Sequence, residues 1–278
     1  MFFFSRDGLR ERLAKEQAQD TPNDVLISDI ETALKFVYED MEQDINNLDR
    51  LTAHNEVIYE LLWALIPPNT LVYHFHEFTE QPQILLARSV TYIEPDDEPY
   101  YAEVACDIIT DDGNMFGMAR HSIRITIFVG ARVIQNLPVY PLSFHREADA
   151  IRTHAIERGR RFAAMSDPSC YEISGPAIQE MVNRREEVKW FKIGVSGLSS
   201  SCLLRVIFQT YGRAMIDPAS FRRFEANRKF NFSVHRHFDR KGLNDQQYMI
   251  CNPVVLGFCF GIKKWGTSCC SMQYSFLF

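Results

Sequence analysis

Two pairs of histidines are spaced for shared work, His74 with His76 and His235 with His237. Residues two apart on a strand lie on one face, so each pair could offer two imidazoles to one metal ion. A third and a fourth ligand would have to come from distant parts of the chain, and a histidine on a sheet is more often a satisfied surface or core residue. Asp107, Asp111 and Asp112 could serve as paired carboxylates for acid/base work. Asp111-Asp112-Gly113-Asn114 is also the composition of a tight turn, which already accounts for Asp111 and Asp112. Arg158-Gly159-Arg160-Arg161 could hold an anion, but near a helix end it would complement the helix dipole, and that structural reading is preferred. Cys106, Cys170, Cys202, Cys251, Cys259, Cys269 and Cys270 are odd in number and nowhere form CxxC, so they are expected to be reduced core thiols. The sequence lacks GxxxxGK[ST], GxGxxG after a strand, GxSxG and HExxH, so the commonest motif-bearing enzyme classes have no support. No catalytic, cofactor-binding or metal-binding residue is therefore assigned.

The elements that would position these residues follow from hydrophobic period. Residues 1–24 are polar and broken by Thr21-Pro22-Asn23, which suits a loose tail excluded from the core. Ile27, Ile30, Leu34, Val37, Met41, Ile45 and Leu48 then recur at spacings of three and four, the stripe of one long amphipathic helix over 25–50, capped by Ser28 or Asp24. A second helix is expected over about 51–65, ending before Pro67-Pro68. From 71 the period becomes that of strands: 71–75, 84–93, 101–109 and 115–129, the last two joined across Asp112-Gly113 with Ile123, Ile125 and Ile127 on one buried side. A helix over 144–165, short strands near 171–173 and 213–216, a basic segment without clear pattern and an apolar strand over 248–260 complete the chain. The expected fold class is α+β: an antiparallel β-meander or partly closed barrel with flanking helices and a long N-terminal helix.

With 278 residues there is enough chain to bury a sizeable core without disulfide staples. Hydrophobic residues at 46% and charged residues at 24% argue against disorder. No apolar run approaches the roughly 20 residues of a membrane span, and Met1-Phe2-Phe3-Phe4 meets charge at once, so a cytoplasmic or nuclear location is expected. The net charge of −6 is localised: residues 24–50 hold eight acids against Lys35 and Arg50, which leaves the remainder neutral. Within that remainder, residues 213–241 hold eight basic side chains against three acids. A solvated face, or one that meets the acidic helix, is favoured there over a nucleic-acid surface, because no nucleic-acid motif accompanies the charge.

Several short blocks in fixed order carry a resemblance. They are Leu62-Trp63-Ala64-Leu65-Ile66-Pro67-Pro68-Asn69-Thr70-Leu71-Val72, Asp112-Gly113 with Phe116-Gly117, Ile127-Phe128-Val129-Gly130-Ala131-Arg132-Val133-Ile134 and Leu137-Pro138-Val139-Tyr140-Pro141-Leu142. Arg158-Gly159-Arg160, Tyr211-Gly212-Arg213-Ala214-Met215-Ile216-Asp217 and Pro253-Val254-Val255-Leu256-Gly257-Phe258 follow. Together they resemble the uncharacterised domain of unknown function that precedes the AAA+ ATPase module in many fungal proteins, over most of 48–266. The resemblance implies an α+β domain over 51–266 that recognises substrates or adaptors, or regulates, while a separate module hydrolyses ATP. It implies no catalytic residue and no cofactor in this chain. Partners are then expected to be proteins, or a second copy through the 27–48 helix, with neither membrane nor nucleic acid. The competing expectation is a stand-alone metal- or ligand-binding enzyme using the histidine-bearing strands.

Two stretches depart from that family. Residues 195–209 have no counterpart in it, and their possible codons include an intron start at Val195-Ser196-Gly197 and an intron end at Phe208-Gln209. The uncharged ending 267–278 replaces the continuation expected toward an ATPase. Both are expected to be retained intron sequence: 195–209 a protruding loop or a poorly tucked apolar strand rather than a central element of the fold, and 267–278 an aberrant tail.

Overall fold

The computed structural model describes residues 2–19, 21–76, 80–165, 168–181, 204–224, 232–261, 263–269 and 275–276. Its first element corrects the expected loose tail. Helix α1 (Phe2–Gln17) is built from good helix formers such as Leu9, Arg10, Glu11, Arg12 and Leu13, and is anchored by Phe3. Phe3 is buried with its ring 4.8 Å from that of Trp63, and the Arg6 guanidinium lies 4.9 Å over it.

The expected 25–50 helix is two helices. In α2 (Asp24–Asp40), Ile30, Leu34 and Val37 are buried as the stripe requires, and Asn23, rather than Ser28 or Asp24, supplies the cap by accepting from the Leu26 N–H at 3.1 Å. Met41 leaves helical geometry at φ −118°, after which α3 (Glu42–Ala53) buries Ile45, Leu48 and Leu51. Like charges at Glu39/Glu42 and Asp40/Asp44 stand three and four residues apart across this break and oppose a continuous helix. The helix expected over 51–65 is interrupted because Asn55 takes φ +58°, the left-handed conformation that ends helices. A short strand β1 (Glu56–Val57), a 3-10 turn (Tyr59–Leu61) and a single turn α4 (Leu62–Leu65) follow.

The strands of the meander stand where their period places them: β2 (Leu71–His76), β3 (Gln81–Ile93), β4 (Tyr101–Asp111) and β5 (Phe116–Thr126). Next come β6 (Arg132–Val133), β7 (Val139–Pro141), α5 (Ala148–Ala164), β8 (Ser169–Met181), β9 (Leu204–Ile216), α6 (Pro218–Phe224) and β10 (Val234–His237). The last elements are α7 (Asp245–Met249), β11 (Val254–Cys259), β12 (Lys264–Cys269) and β13 (Ser275–Phe276), so the strand expected over 248–260 is a helical turn followed by a shorter strand. The meander belongs to a six-stranded sheet of order β10-β5-β4-β3-β2-β7, and β1 pairs separately with β6. A second sheet has the order β12-β11-β9-β8-β13, and an additional β12–β8 pairing returns it on itself as a partly closed barrel. The fold class is thus α+β with antiparallel sheets and flanking helices.

The pairing of β8 with β9 corrects the expected protruding loop at residues 204–209, which are strand. The two strands are antiparallel in unbroken register from Ser169↔Ile216 to Met181↔Leu204, so residues 204–209 form ladder with residues 176–181. Residues 195–203 lie outside the described residues. The expected aberrant tail is also partly ladder: Thr267 pairs with Leu256 and Ile178, and Ser275 with Glu172. A backbone whose hydrogen bonds are met in this way is an integral part of a sheet.

Where one body over 51–266 is expected, the chain falls into two compact units. The first comprises Met1–His74, Leu86–Cys106 and Ser122–Ala148; its core includes Val57, Leu62, Val72, Ala87, Val104, Ile125 and Ile134. The second comprises Phe75–Leu85, Asp107–His121 and Asp149–Phe278; Ile84, Ile108, Ile109, Phe162, Ile216 and Phe221 lie in its core.

Candidate functional site

The acidic turn between β4 and β5, in the second unit, is occupied by structural work. Asp112 is buried and accepts from the Asn114 and Met115 N–H groups with Oδ1, both at 2.9 Å, and from the Val234 N–H with Oδ2 at 3.0 Å. The Arg222 guanidinium stands 3.4 Å from Oδ1 and donates to the Asp112 carbonyl at 3.0 Å. Burial alone would raise this carboxyl; the three N–H donors and Arg222 outweigh it and hold it below its ordinary value. Asp111 accepts from the Gly113 N–H at 2.7 Å and pairs with Arg240, yet burial prevails and its carboxyl is raised. Gly113 has φ +83°, and a Cβ there would come within 2.5 Å of the Pro218 carbonyl oxygen, so α6 requires glycine at this point. The turn is therefore a clasp that ties β10 and α6 to the β4–β5 hairpin. The partners of the acids, Arg222 and Arg240, come from the basic segment that the sequence pattern leaves unassigned.

Asp107 is buried with Arg120 Nε 3.4 Å from its carboxylate, an ion pair between neighbouring strands. His74 donates through Nδ1 to the Pro138 carbonyl at 2.8 Å, the only role that carbonyl permits. His235 and His237 are exposed on β10, and the register slips between Val234 and Arg236, so a bulge at His235 upsets the alternation that would align the two rings. Among the described residues, no group of three or more His, Cys, Asp or Glu stands where it could hold a metal ion. Cys106, Cys251 and Cys259 are buried, as expected of core thiols, whereas Cys170 is exposed. Burial pushes the Cys251 thiol up to about 12 despite the nearby Arg158 and Arg240. The Arg158-Gly159-Arg160-Arg161 run divides its work: Arg160 pairs with Asp245 at 2.9 Å, while Arg158 is buried and donates to the Pro82 carbonyl at 2.7 Å.

The segment between β5 and β7, in the first unit, leaves apolar side chains exposed on an anchored base. Alternation predicts Ile127 inside with Ile123 and Ile125; those two are buried, but Ile127 is 45% exposed, Val129 100% and Val133 41%. Tyr100, 46% exposed, adjoins Ile127, whose N–H donates to its carbonyl at 2.9 Å. The apolar tip is held on a fixed base. Phe128 is buried edge-on to Tyr59, with ring centroids 5.7 Å apart, and Arg132 covers its ring at 4.3 Å. Tyr59 in turn packs edge-on against Tyr92, whose hydroxyl lies 3.1 Å from the Tyr59 and Glu60 carbonyls. Burial pushes the Tyr92 hydroxyl up to about 12, so it remains a donor in this cluster. The β1–β6 ladder and the Ile134 N–H to the Asn55 carbonyl, 2.8 Å, fix the far side of the loop. Sequence periodicity misses this surface because Ile127 and Val129 continue the strand alternation past the point where pairing stops. The Val129-Gly130 step, with Gly130 at φ +77°, is the signal that the strand has ended.

Among the described residues no helix is long and apolar enough to cross a membrane. Comparison with curated proteins and with solved structures gives no match. Residues 47–146 match the model of a family described as Domain of unknown function (DUF7025), a span that contains the exposed loop and its aromatic base.

Proposed function

We propose that this chain is a non-catalytic recognition or regulatory domain, of the kind that serves a fungal AAA+ ATPase, and that its partner is a protein bound through the loop at 127–133. The carrying observation is the fully exposed Val129, with exposed Ile127 and Val133 in the same loop and buried Phe128 anchoring it against Tyr59. Exposed apolar side chains on a loop anchored at its base favour association, because water leaves them on binding and less loop entropy is lost. The resemblance to domains preceding AAA+ modules supports an adaptor or substrate as the partner, in the cytosol or nucleus. Val129→Asp tests the reading. The variant is expected to unfold at the same temperature as the parent, since Val129 contacts no core, and to lose partners that quantitative affinity purification recovers with the parent chain. An unchanged partner set would contradict the reading. Sedimentation over a range of concentrations separates a foreign partner from a second copy.

A further inference from the structure

Thr21-Pro22 is the one place in the sequence where a serine or threonine precedes proline. It lies in the connection between α1 and α2, in the first unit, where residues 17–19 and 21–25 are all exposed. Pro22 drives Thr21 out of the α region, and Asn23 continues the extended path at φ −90° and ψ 97° before α2 begins. Other hydroxyls are placed differently. Within α2, Thr32 Oγ1 donates to the carbonyl of Ser28, itself a residue of that helix, at 2.8 Å. Thr52 and Thr153 likewise donate to the Leu48 and Asp149 carbonyls inside their helices, at 2.7 and 3.0 Å. A protein kinase lays its acceptor across its own cleft with the hydroxyl in line with the phosphate to be transferred. The helical hydroxyls reach that state only by unwinding, whereas Thr21 is presented for it in the folded chain.

We propose that Thr21 is a phosphorylation site for a proline-directed protein kinase. In the transfer, Thr21 Oγ1 bonds to the γ-phosphorus of ATP, the bond from that phosphorus to the β-phosphate oxygen breaks, the hydroxyl proton passes to the kinase's catalytic carboxylate, and ADP leaves. Pro22 selects the class of kinase. Proline offers no N–H, so an apolar pocket shaped for its ring leaves nothing unpaired, whereas any other residue brings an N–H that such a pocket does not satisfy. The phosphate adds a charge of about −1.5 to −2 just ahead of the Asn23 cap. It stands at the head of residues 24–50, whose eight acids face only Lys35 and Arg50, and so deepens an acidity already concentrated there.

Incubation of the folded full chain with an activated mitogen-activated protein kinase and Mg-ATP, read by intact mass and by fragmentation of the tryptic peptide 16–35, tests the proposal. One phosphate is expected, on Thr21 rather than on Ser28 or Thr32 of the same peptide. Thr21→Ala should abolish it, Pro22→Ala should slow it about tenfold or more, and Asp24→Asn, which removes the acid at the third position beyond Thr21, should leave the rate within about twofold. All three positions are exposed, so each variant is expected to keep the parent unfolding temperature and folded chains are compared. No incorporation into the folded chain, incorporation only after heating, or phosphate that survives Thr21→Ala would overturn the proposal. So would a rate indifferent to Pro22→Ala but lowered by Asp24→Asn, the mark of an acid-directed kinase.

Discussion

Asp112 makes more stabilising contacts than its place in a surface turn implies. Its carboxylate accepts three backbone N–H bonds, one of them from β10, more than a hundred residues along the chain. Asp112→Ala is expected to cost about 3 kcal/mol in urea unfolding, mostly because buried N–H groups lose their acceptor rather than because the partly exposed Arg222 loses its counter-ion. The pH dependence has a definite sign. A carboxyl lowered in the fold contributes stability that is complete above its ordinary 3.8 and lost as pH falls through the lower folded value. The raised carboxyl of Asp111 acts oppositely: its contribution is present below 3.8 and lost as pH rises through the folded value. Asp112→Asn should therefore flatten the loss of stability on the acid side, and a slope equal to that of the parent would contradict this. The thiols allow a second prediction. With a thiol pushed up to about 12 in a buried site, Cys251 should resist alkylation in the native protein while exposed Cys170 reacts, as peptide mapping after a short pulse would show. Rapid labelling of Cys251 would contradict its burial.

At the scale of elements, period and turn chemistry are legible wherever local pattern decides. The four meander strands, the Asp112-Gly113 reversal and the buried stripe Ile30, Leu34, Val37 are readable because each depends on neighbours within a few residues. What local pattern cannot carry is the context that ends or prolongs an element. The break at Met41 and the end of α3 at Asn55 are decided by charge crowding and a left-handed residue. The extent of β8 and β9 is decided by their pairing with each other, although residues 204–209 look surplus in isolation. Deleting residues 204–209 would strip the ladder from residues 176–181, so a clear loss of stability is expected; an unchanged or raised unfolding temperature would return the segment to the status of an insert. Gly159 marks a contact of the same non-local kind. Gly159→Ala must push α5 from the Tyr248 carbonyl, and overpacking of this sort costs about 1–3 kcal/mol, measurable by thermal unfolding. A neutral or stabilising effect, the usual result of placing alanine in a helix, would contradict that close approach.

For the whole molecule, the sequence makes the α+β class legible but neither the division into two compact units nor the surface proposed for recognition. Composition and period tell which side chains are apolar, and they assign Ile127 to the core with Ile123 and Ile125. Only the place where β5 ends reveals that Ile127, Val129 and Val133 are exposed while Phe128 among them is buried against Tyr59. The same holds for the histidine pairs, whose spacing suggests shared ligation until a bulge at His235 removes the alternation. The account of function rests on loop 127–133 as a protein-binding surface. It is tested most directly by a photo-crosslinking amino acid placed at Val129 in cells expressing the full chain, with the same probe at exposed Glu147 as the comparison. The account predicts a discrete protein adduct from position 129 that Ile127→Asp in the same chain abolishes and that position 147 does not give. No adduct from position 129, or the same adducts from both positions, would contradict it.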